Sequence, residues 1–501
     1  MFRLRPTNDA PGLDRETMIV AGVVLLGGVM SILDATVVNV ALPRLSMDFG
    51  APFTTIQWVV SAYTLALAAV IPATGWASDR FGEKRVYLSA VVAFTVGSAL
   101  CALAWSPASL IGFRVLQGLG GGMILPSVMT IITKKAGPKR RGRVMGIFGV
   151  PLLVAPMLGA VFGGWLVEAV SWRAIFLINI PVGAVAIASA WLVLERQEPQ
   201  RAQRLDWLGL GLLSPGLALL IFGFAESPAH GFGAARAWLP ILLGSLLIGT
   251  FFVHSWRAET PLIDVKTFVH SRAGAAALLL LLLVFAFAGA MLLLPVYFQV
   301  ARGTSALEAG LLLAPQGFGT MLMLPLAGFL TDRHGPFWLP VISLPFLIAG
   351  IAPFAVATAT TPLALLSGFN FLFGLGSGIA FMPTITAALQ VVPARAIART
   401  STAMNAIDQS AASIGAAVLS VVLASEVGGI GAGAGLNVIE HLSGARRAAL
   451  SGQLAEAFAS TFLWIVVVLV VTVLPALALA LGRWRPAQRK ALAMESVAER
   501  C

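Results

Sequence analysis

The stretch Gly75–Arg85, GWASDRFGEKR, closes one long apolar run and opens the next. Its charges, Asp79, Arg80, Glu83, Lys84 and Arg85, mark a tight turn that stays in water while both flanks leave it. Residues 328–336, GFLTDRHGP, repeat the device, and both copies read Gly-x-x-x-Asp-Arg-x-Gly. Gly75 and Gly328 lie about half a chain apart, a spacing that speaks for a duplicated half and not for a local motif. A second echo follows in the same order: GLGGGMILP at 118–126 against GLGSGIAFMP at 374–383. In each copy the Asp-Arg turn joins the second and third helix of a six-helix set, and the Gly-rich run falls in the fourth.

The 501 residues are 58% hydrophobic and only 11% charged, outside the range of soluble domains. A helix needs about 20 apolar residues to cross the hydrocarbon, where no water satisfies the backbone. Fourteen such runs are predicted, at 17–41, 55–77, 85–104, 108–133, 142–167, 172–194, 206–225, 237–256, 273–299, 306–331, 337–358, 362–388, 402–426 and 460–482. The expected fold is an all-α integral membrane protein of two six-helix bundles plus two inserted helices. Its parts are a tail 1–16, a first bundle 17–194, a connecting segment 195–272 with the extra pair, a second bundle 273–482 and a tail 483–501. The first run continues to about Ala41 without a cleavage pattern and so reads as a retained helix.

The net charge of +11 is carried by Lys and Arg gathered in alternate loops. The other loops hold only Arg44, Arg173, Arg236, Arg302, Arg446 and Arg447, so both termini are expected in the cytoplasm of a bacterial inner membrane. That distribution orients a chain in a bilayer and makes a nucleic-acid surface the weaker reading. Cys101 and Cys501 are the only cysteines, which excludes a disulfide framework or a cysteine metal site. No Gly-x-x-x-x-Gly-Lys-Ser/Thr run, Gly-x-Ser-x-Gly elbow or His-Glu-x-x-His pair is present, so neither ATP use nor an enzyme activity is expected. No cofactor is called for beyond an ion or substrate gradient. The longest outer loop, about 427–459, begins GGIGAGAG and continues with a polar piece from His441 to Glu456.

Further motifs run in order: LDATVVNVALP (Leu33–Pro43), RVLQGLGGG (Arg114–Gly122), GVPLLVAPMLGAVFGGWL (Gly149–Leu166) and WRAIFLINIPVG (Trp172–Gly183). With the two Asp-Arg turns, this set resembles the major facilitator superfamily over nearly the whole chain. The extra helix pair makes it similar to the fourteen-span drug:proton antiporters. The resemblance implies alternating access driven by protons and export of amphiphilic compounds. It also associates the run holding Gly149, Pro151, Pro156, Gly159 and Gly163 with exporters, where it would seal or flex the cytoplasmic side; ordinary small-residue helix packing is the plainer account.

Three ionisable residues fall deep in spans and are functional candidates by default: Asp34, Arg114 and Asp408. At 1.5 Å per residue, Asp34 and Arg114 both lie roughly 10 Å from the outer boundary and can meet. The repeat puts Asn370 where Arg114 stands and apolar residues near 286–290 where Asp34 stands, which confines the pair to one half. Burial favours a protonated carboxyl and a guanidinium favours a charged one, so a carboxylate alternating between them loads and releases a proton. Asp34 is therefore the expected proton carrier and Arg114 its modulator; a static buried ion pair is the alternative. Asp408 is expected to be a second proton site or an attraction for cations, and the resemblance would more usually place an arginine just before Gln409.

Asn39, Tyr63, Gln117, Asn405 and Gln409 are the expected cavity residues, with Trp58, Phe285, Phe287, Tyr297 and Phe381 as candidate aromatic walls. Asp79, with Arg80 and Arg85 beside it, is expected to latch adjacent helices on the inner side, and Asp332 with Arg333 to do so in the second copy. Gly75, Gly82 and Gly335 allow the close turn. These latches would stabilise an outward-open state and release as the halves rock. The expected partners are a small amphiphilic substrate, protons and the bilayer, with the chain a monomer and no residue supporting a periplasmic adaptor. A dedicated exporter of one metabolite or lipid is the nearer alternative, and a non-transporting sensor or scaffold the more distant one.

Overall fold

The computed structural model describes residues 14–137, 140–195, 205–269, 272–393, 396–428 and 444–482, and every regular element among them is helical. Most of both expected tails and the Gly-rich part of the outer loop, His441 included, lie outside the described residues. The first bundle's helices are α1 (Arg15–Phe49), α2 (Trp58–Phe81), α3 (Glu83–Ala102), α4 (Pro107–Ala136), α5 (Arg141–Ala169) and α6 (Asn179–Val193). The inserted pair is α7 (Trp207–His230) and α8 (Ala235–Arg257). Then come α9 (Arg272–Val296), α10 (Ala306–His334), α11 (Leu339–Ile351), α12 (Leu363–Gln390), α13 (Ile397–Gly428) and α14 (Gly444–Val471). A π-helical turn, Tyr297–Ala301, continues α9, and a short helix, Val473–Leu481, continues α14.

Among the described residues, 13 helices are long and apolar enough to cross a membrane. The remaining expected span, 142–167, is the unbroken helix α5. Two ends depart from expectation. Helix α1 runs on to Phe49, because nothing stops it before Gly50 adopts the left-handed conformation (φ 58°) that closes its last turn. The polar piece before 456 and the span expected from 460 form one helix, since Leu454, Ala455 and Phe458 already turn a buried face inward.

The chain divides into two compact units. One comprises Met1–Phe222, Leu243–Thr267 and Val392–Ala406; the other comprises Gly223–Leu242, Phe268–Val391 and Ile407–Cys501. Each unit is built on the same glycine contacts. In the first, Gly118 and Gly122 of α4 lie against Tyr63 and Leu67 of α2, and Gly120 lies against Phe94 of α3. A Cβ at any of the three would stand 2.5 Å from the Tyr63 carbonyl, the Leu67 carbonyl or the Phe94 amide, so only glycine permits this approach. In the second, Gly374 and Gly378 of α12 meet Gln316 and Thr320 of α10, and Gly376 meets Leu347 of α11.

The outer pair of contacts repeats as well. Gly159 of α5 packs on Leu33 and Thr36 of α1, and Gly415 of α13 packs on Phe285 of α9. The Asp-Arg turns also share a backbone: Gly82 (φ 86°) and Gly335 (φ 84°) donate their amides to Ser78 and Thr331, ending α2 and α10 alike. Capping boxes start α4 at Ser106 with Ser109 and α10 at Ser305 with Glu308.

Candidate functional site

The glycine contacts of α4 with α2 and α3 bring its long polar side chains against α1. Asp34 on α1 and Arg114 and Gln117 on α4 are all enclosed, with 2%, 0% and 0% of their surface exposed. The Arg114 Nη1 donates to Asp34 Oδ2 at 2.5 Å and to Gln117 Oε1 at 2.9 Å, and its Nε donates to the Val59 carbonyl at 3.1 Å. The second carboxylate oxygen accepts from Gln117 Nε2 at 2.9 Å and from Asn179 Nδ2 at 2.8 Å. Asn179, at the start of α6, also donates to Ser98 Oγ on α3, which in turn donates to the Phe176 carbonyl.

The Tyr63 ring lies 3.9 Å from the guanidinium carbon, and its hydroxyl sits 3.3 Å from Ser31 Oγ. A carboxylate with three donors is thus held in a site closed to water. Arg114 Nη2, by contrast, is buried with no hydrogen-bond partner. One guanidinium arm is left to gain a contact if the site opens or rearranges.

This arrangement joins the two charges that the sequence singles out, and it moves two expected cavity residues. Gln117 and Tyr63 do not line an open wall; both are sealed into the ion-pair network because α4 packs so closely on α2. Two members, Asn179 and Ser98, were not singled out from the sequence. Asn179 carried a legible signal, a lone amide in the apolar run IFLINIPVG, whereas Ser98 carried none.

The second charged feature forms at the Asp-Arg turn. Asp79 Oδ2 accepts from Arg399 Nε at 3.0 Å, in the first turn of α13. This corrects the expected pairing with neighbouring arginines: Arg80, on the last turn of α2, and Arg85, on the first turn of α3, are both exposed and point away from the packed faces of their helices. Gly75 provides the room, since a Cβ there would stand 3.0 Å from the Arg399 Cα. Glu83, the next acidic residue, pairs instead with Lys134 of α4. In the second copy Asp332 is half-buried and Arg333 exposed on the last turn of α10.

The other candidates stand apart. Asp408 is half-buried on α13 and has no hydrogen-bond or ion-pair partner among the described residues. Asn405, one turn before it, donates to its own helix at the Ser401 carbonyl, and Gln409 is half-buried. Asn39 is exposed and donates to the Ala35 carbonyl. On α5, Gly149 is buried and Pro151 exposed, while Gly159 and Gly163 form the packing face against α1; Pro156 lies on the same helix. Tyr297 is not a cavity wall: it is buried among Phe298, Phe354, Phe458 and Phe462.

Comparison with known proteins agrees with this architecture. The family model described as Major Facilitator Superfamily matches residues 24–416. A "Multidrug resistance protein B homolog" of Mycobacterium tuberculosis is 42% identical over 82% of this chain and 77% of its own length. The "Tetracenomycin C resistance and export protein" of Streptomyces glaucescens is 30% identical over 81% of this chain and 76% of its own. Among solved structures, the human organic anion transporter MFSD10 (TETRAN) superposes with a TM-score of 0.63 at 16% identity, covering 93% of this chain and 100% of that one. The chain is therefore a membrane transporter, not an enzyme, and belongs to the Major Facilitator Superfamily.

Proposed function

We propose that this transporter is a fourteen-span drug:proton antiporter that exports amphiphilic compounds from a bacterial cell by alternating access. The observation that carries the reading is the Asp34 carboxylate, enclosed and held by Arg114, Gln117 and Asn179. A carboxylate in so dry a site needs a positive partner in every state of the cycle. Arg114 supplies it in the arrangement seen here, and a proton supplies it when the guanidinium swings away. Each cycle then carries a proton inward at Asp34 as substrate leaves. The Asp79–Arg399 pair acts as the latch that opens and re-forms between states.

The drug assignment draws on relatives named for multidrug resistance and for tetracenomycin C export. Asp408, half-buried and unpartnered among the described residues, suits attraction of cationic substrates. The loop charges support an inner-membrane chain with both termini cytoplasmic. The single-compound name of the Streptomyces relative favours one second reading, a dedicated metabolite exporter. Purified protein in liposomes, given an imposed pH difference and a fluorescent cationic dye, tests the proposal. Dye flux against the proton gradient that disappears in Asp34→Asn is the expected result; gradient-driven flux preserved in Asp34→Asn refutes the proton assignment. Competition by many unrelated compounds separates the multidrug reading from the dedicated one.

A further inference from the structure

The inserted pair α7 and α8 has no part in the Asp34 network, yet its ends are tied to the latch. Asp206, the residue before α7, caps that helix: its Oδ1 accepts from the Gly209 amide at 2.8 Å. The same oxygen accepts from His254 Nε2 at 2.8 Å, on the last turn of α8; a carboxylate only accepts, so the imidazole is the donor. Asp206 Oδ2 accepts from the Leu262 amide at 3.2 Å. Ser255, fully buried, donates to the Ile263 carbonyl at 2.6 Å. The segment after α8 is thereby pinned at two successive residues, and Leu262, Ile263 and Val265 are buried.

One residue earlier, the Pro261 carbonyl accepts from Arg399 Nη1 at 3.1 Å, while Arg399 Nε holds Asp79. The guanidinium fork thus joins an acceptor of the Asp-Arg turn to an acceptor of the segment that the inserted helices hold still.

We infer that the inserted helix pair is a positioning arm for the latch, with Asp206 as its key residue: through Leu262 it fixes the Pro261 carbonyl that orients Arg399 toward Asp79. This rests on the reading of Asp79 and Arg399 as a working latch. Losing the fixed Pro261 acceptor leaves the fork freer to turn away from Asp79. Asp206 so acts on the rate at which the latch re-forms and not on the substrate site.

The test uses the full-length protein in liposomes and Asp206→Ser, which keeps the helix cap through its hydroxyl but cannot also reach Leu262 and His254. Hydrogen exchange reads the 258–265 segment, and dye flux driven by a pH difference gives Vmax and KM. Asp206→Ser is expected to speed exchange of the Leu262 amide by about tenfold or more, the lower end of what one hydrogen bond to a charged group is worth. Vmax should fall by a similar factor with KM within about twofold, and Asp206→Ser should add nothing in an Asp79→Asn background.

Arg399→Lys, which keeps the charge but loses the fork, should match Asp206→Ser. Unchanged exchange at Leu262, wild-type Vmax in Asp206→Ser, or a further fall on the Asp79→Asn background overturns the arm while leaving the latch in place. A wild-type Vmax in Asp79→Asn itself removes the latch, and the arm with it.

Discussion

The enclosed ion pair makes a quantitative demand on a double-mutant cycle. Arg114 exposes none of its surface, and its guanidinium faces one carboxylate oxygen of Asp34 at 2.5 Å. Replacing Asp34 by Asn keeps the shape and one acceptor, so Gln117 and Asn179 retain a partner. The new amide nitrogen, however, turns a donor toward Arg114 Nη1, and an uncompensated cation remains buried. Breaking a buried pair in this way costs about 3–5 kcal/mol. Arg114→Met is expected to cost about the same, because it strands the carboxylate with only its two amide donors and frees the Val59 carbonyl.

Without interaction the two costs would add to about 6–10 kcal/mol. In the double variant no charge is left in the site, and the remaining debt is an unpaired amide donor and a carbonyl, about 1–3 kcal/mol each. The double variant should therefore lose about 2–6 kcal/mol, close to a single variant and short of the additive sum, and it should not move dye against a proton gradient. Denaturant or thermal unfolding in detergent measures the first statement and liposome flux the second. Simple additivity of the two single effects would refute the pair as the organising contact. A double variant that still couples flux to the gradient would refute its role in transport.

Three further outcomes follow from other parts of the molecule. Gly122→Ala should lose about 1–3 kcal/mol, because its Cβ would meet the Leu67 carbonyl, while Gly112→Ala, with nothing within 4 Å, should gain about 0.5–1 kcal/mol; parallel unfolding of both variants checks this. Asp79→Asn should lower transport while Arg80→Ala and Arg85→Ala leave it near wild type, since of these three residues Asp79 accepts from Arg399 and the two arginines are exposed; equal losses in all three would return the turn to a plain topological charge cluster. Asp408→Asn should weaken export of cationic dyes more than of neutral ones, read as the ratio of their KM values in one liposome preparation.

The fold was legible because every level of the sequence said the same thing. Apolar run lengths set the helices, and the matched glycine runs predicted the duplication that the close contacts at Gly118, Gly120 and Gly122 and at Gly374, Gly376 and Gly378 embody. The meeting of Asp34 with Arg114 followed from depth alone, since two charges at one level of a bilayer have few other partners. What depth could not give was azimuth. Whether Gln117 faces a cavity or a carboxylate, or whether Asp79 turns to Arg80 or to Arg399, depends on helix rotation and on contacts made far away in sequence. Asn179 and Pro261 enter through such contacts, and a backbone carbonyl leaves no mark in a sequence at all.

The repeat sharpens the functional reading beyond what either half gives by itself. Gly159 on Leu33 and Gly415 on Phe285 are equivalent contacts, so Asp34 corresponds to Ala286, one residue further on. Gly97 lies against Gln117 and Gly350 against Phe373, so Gln117 corresponds to Phe373. Arg114 corresponds to Asn370, which is fully buried and whose amide oxygen has no partner. The packing frame has thus been kept in both units while the charges occupy one. If the ion pair served only to hold helices together, the second unit, with the same glycine contacts and the same enclosure, would need it equally. It packs without one, and Phe287 stacks on Phe373 in the space nearby. Charges that the scaffold can do without, held at a burial that makes them costly, suit the proposed proton site at Asp34.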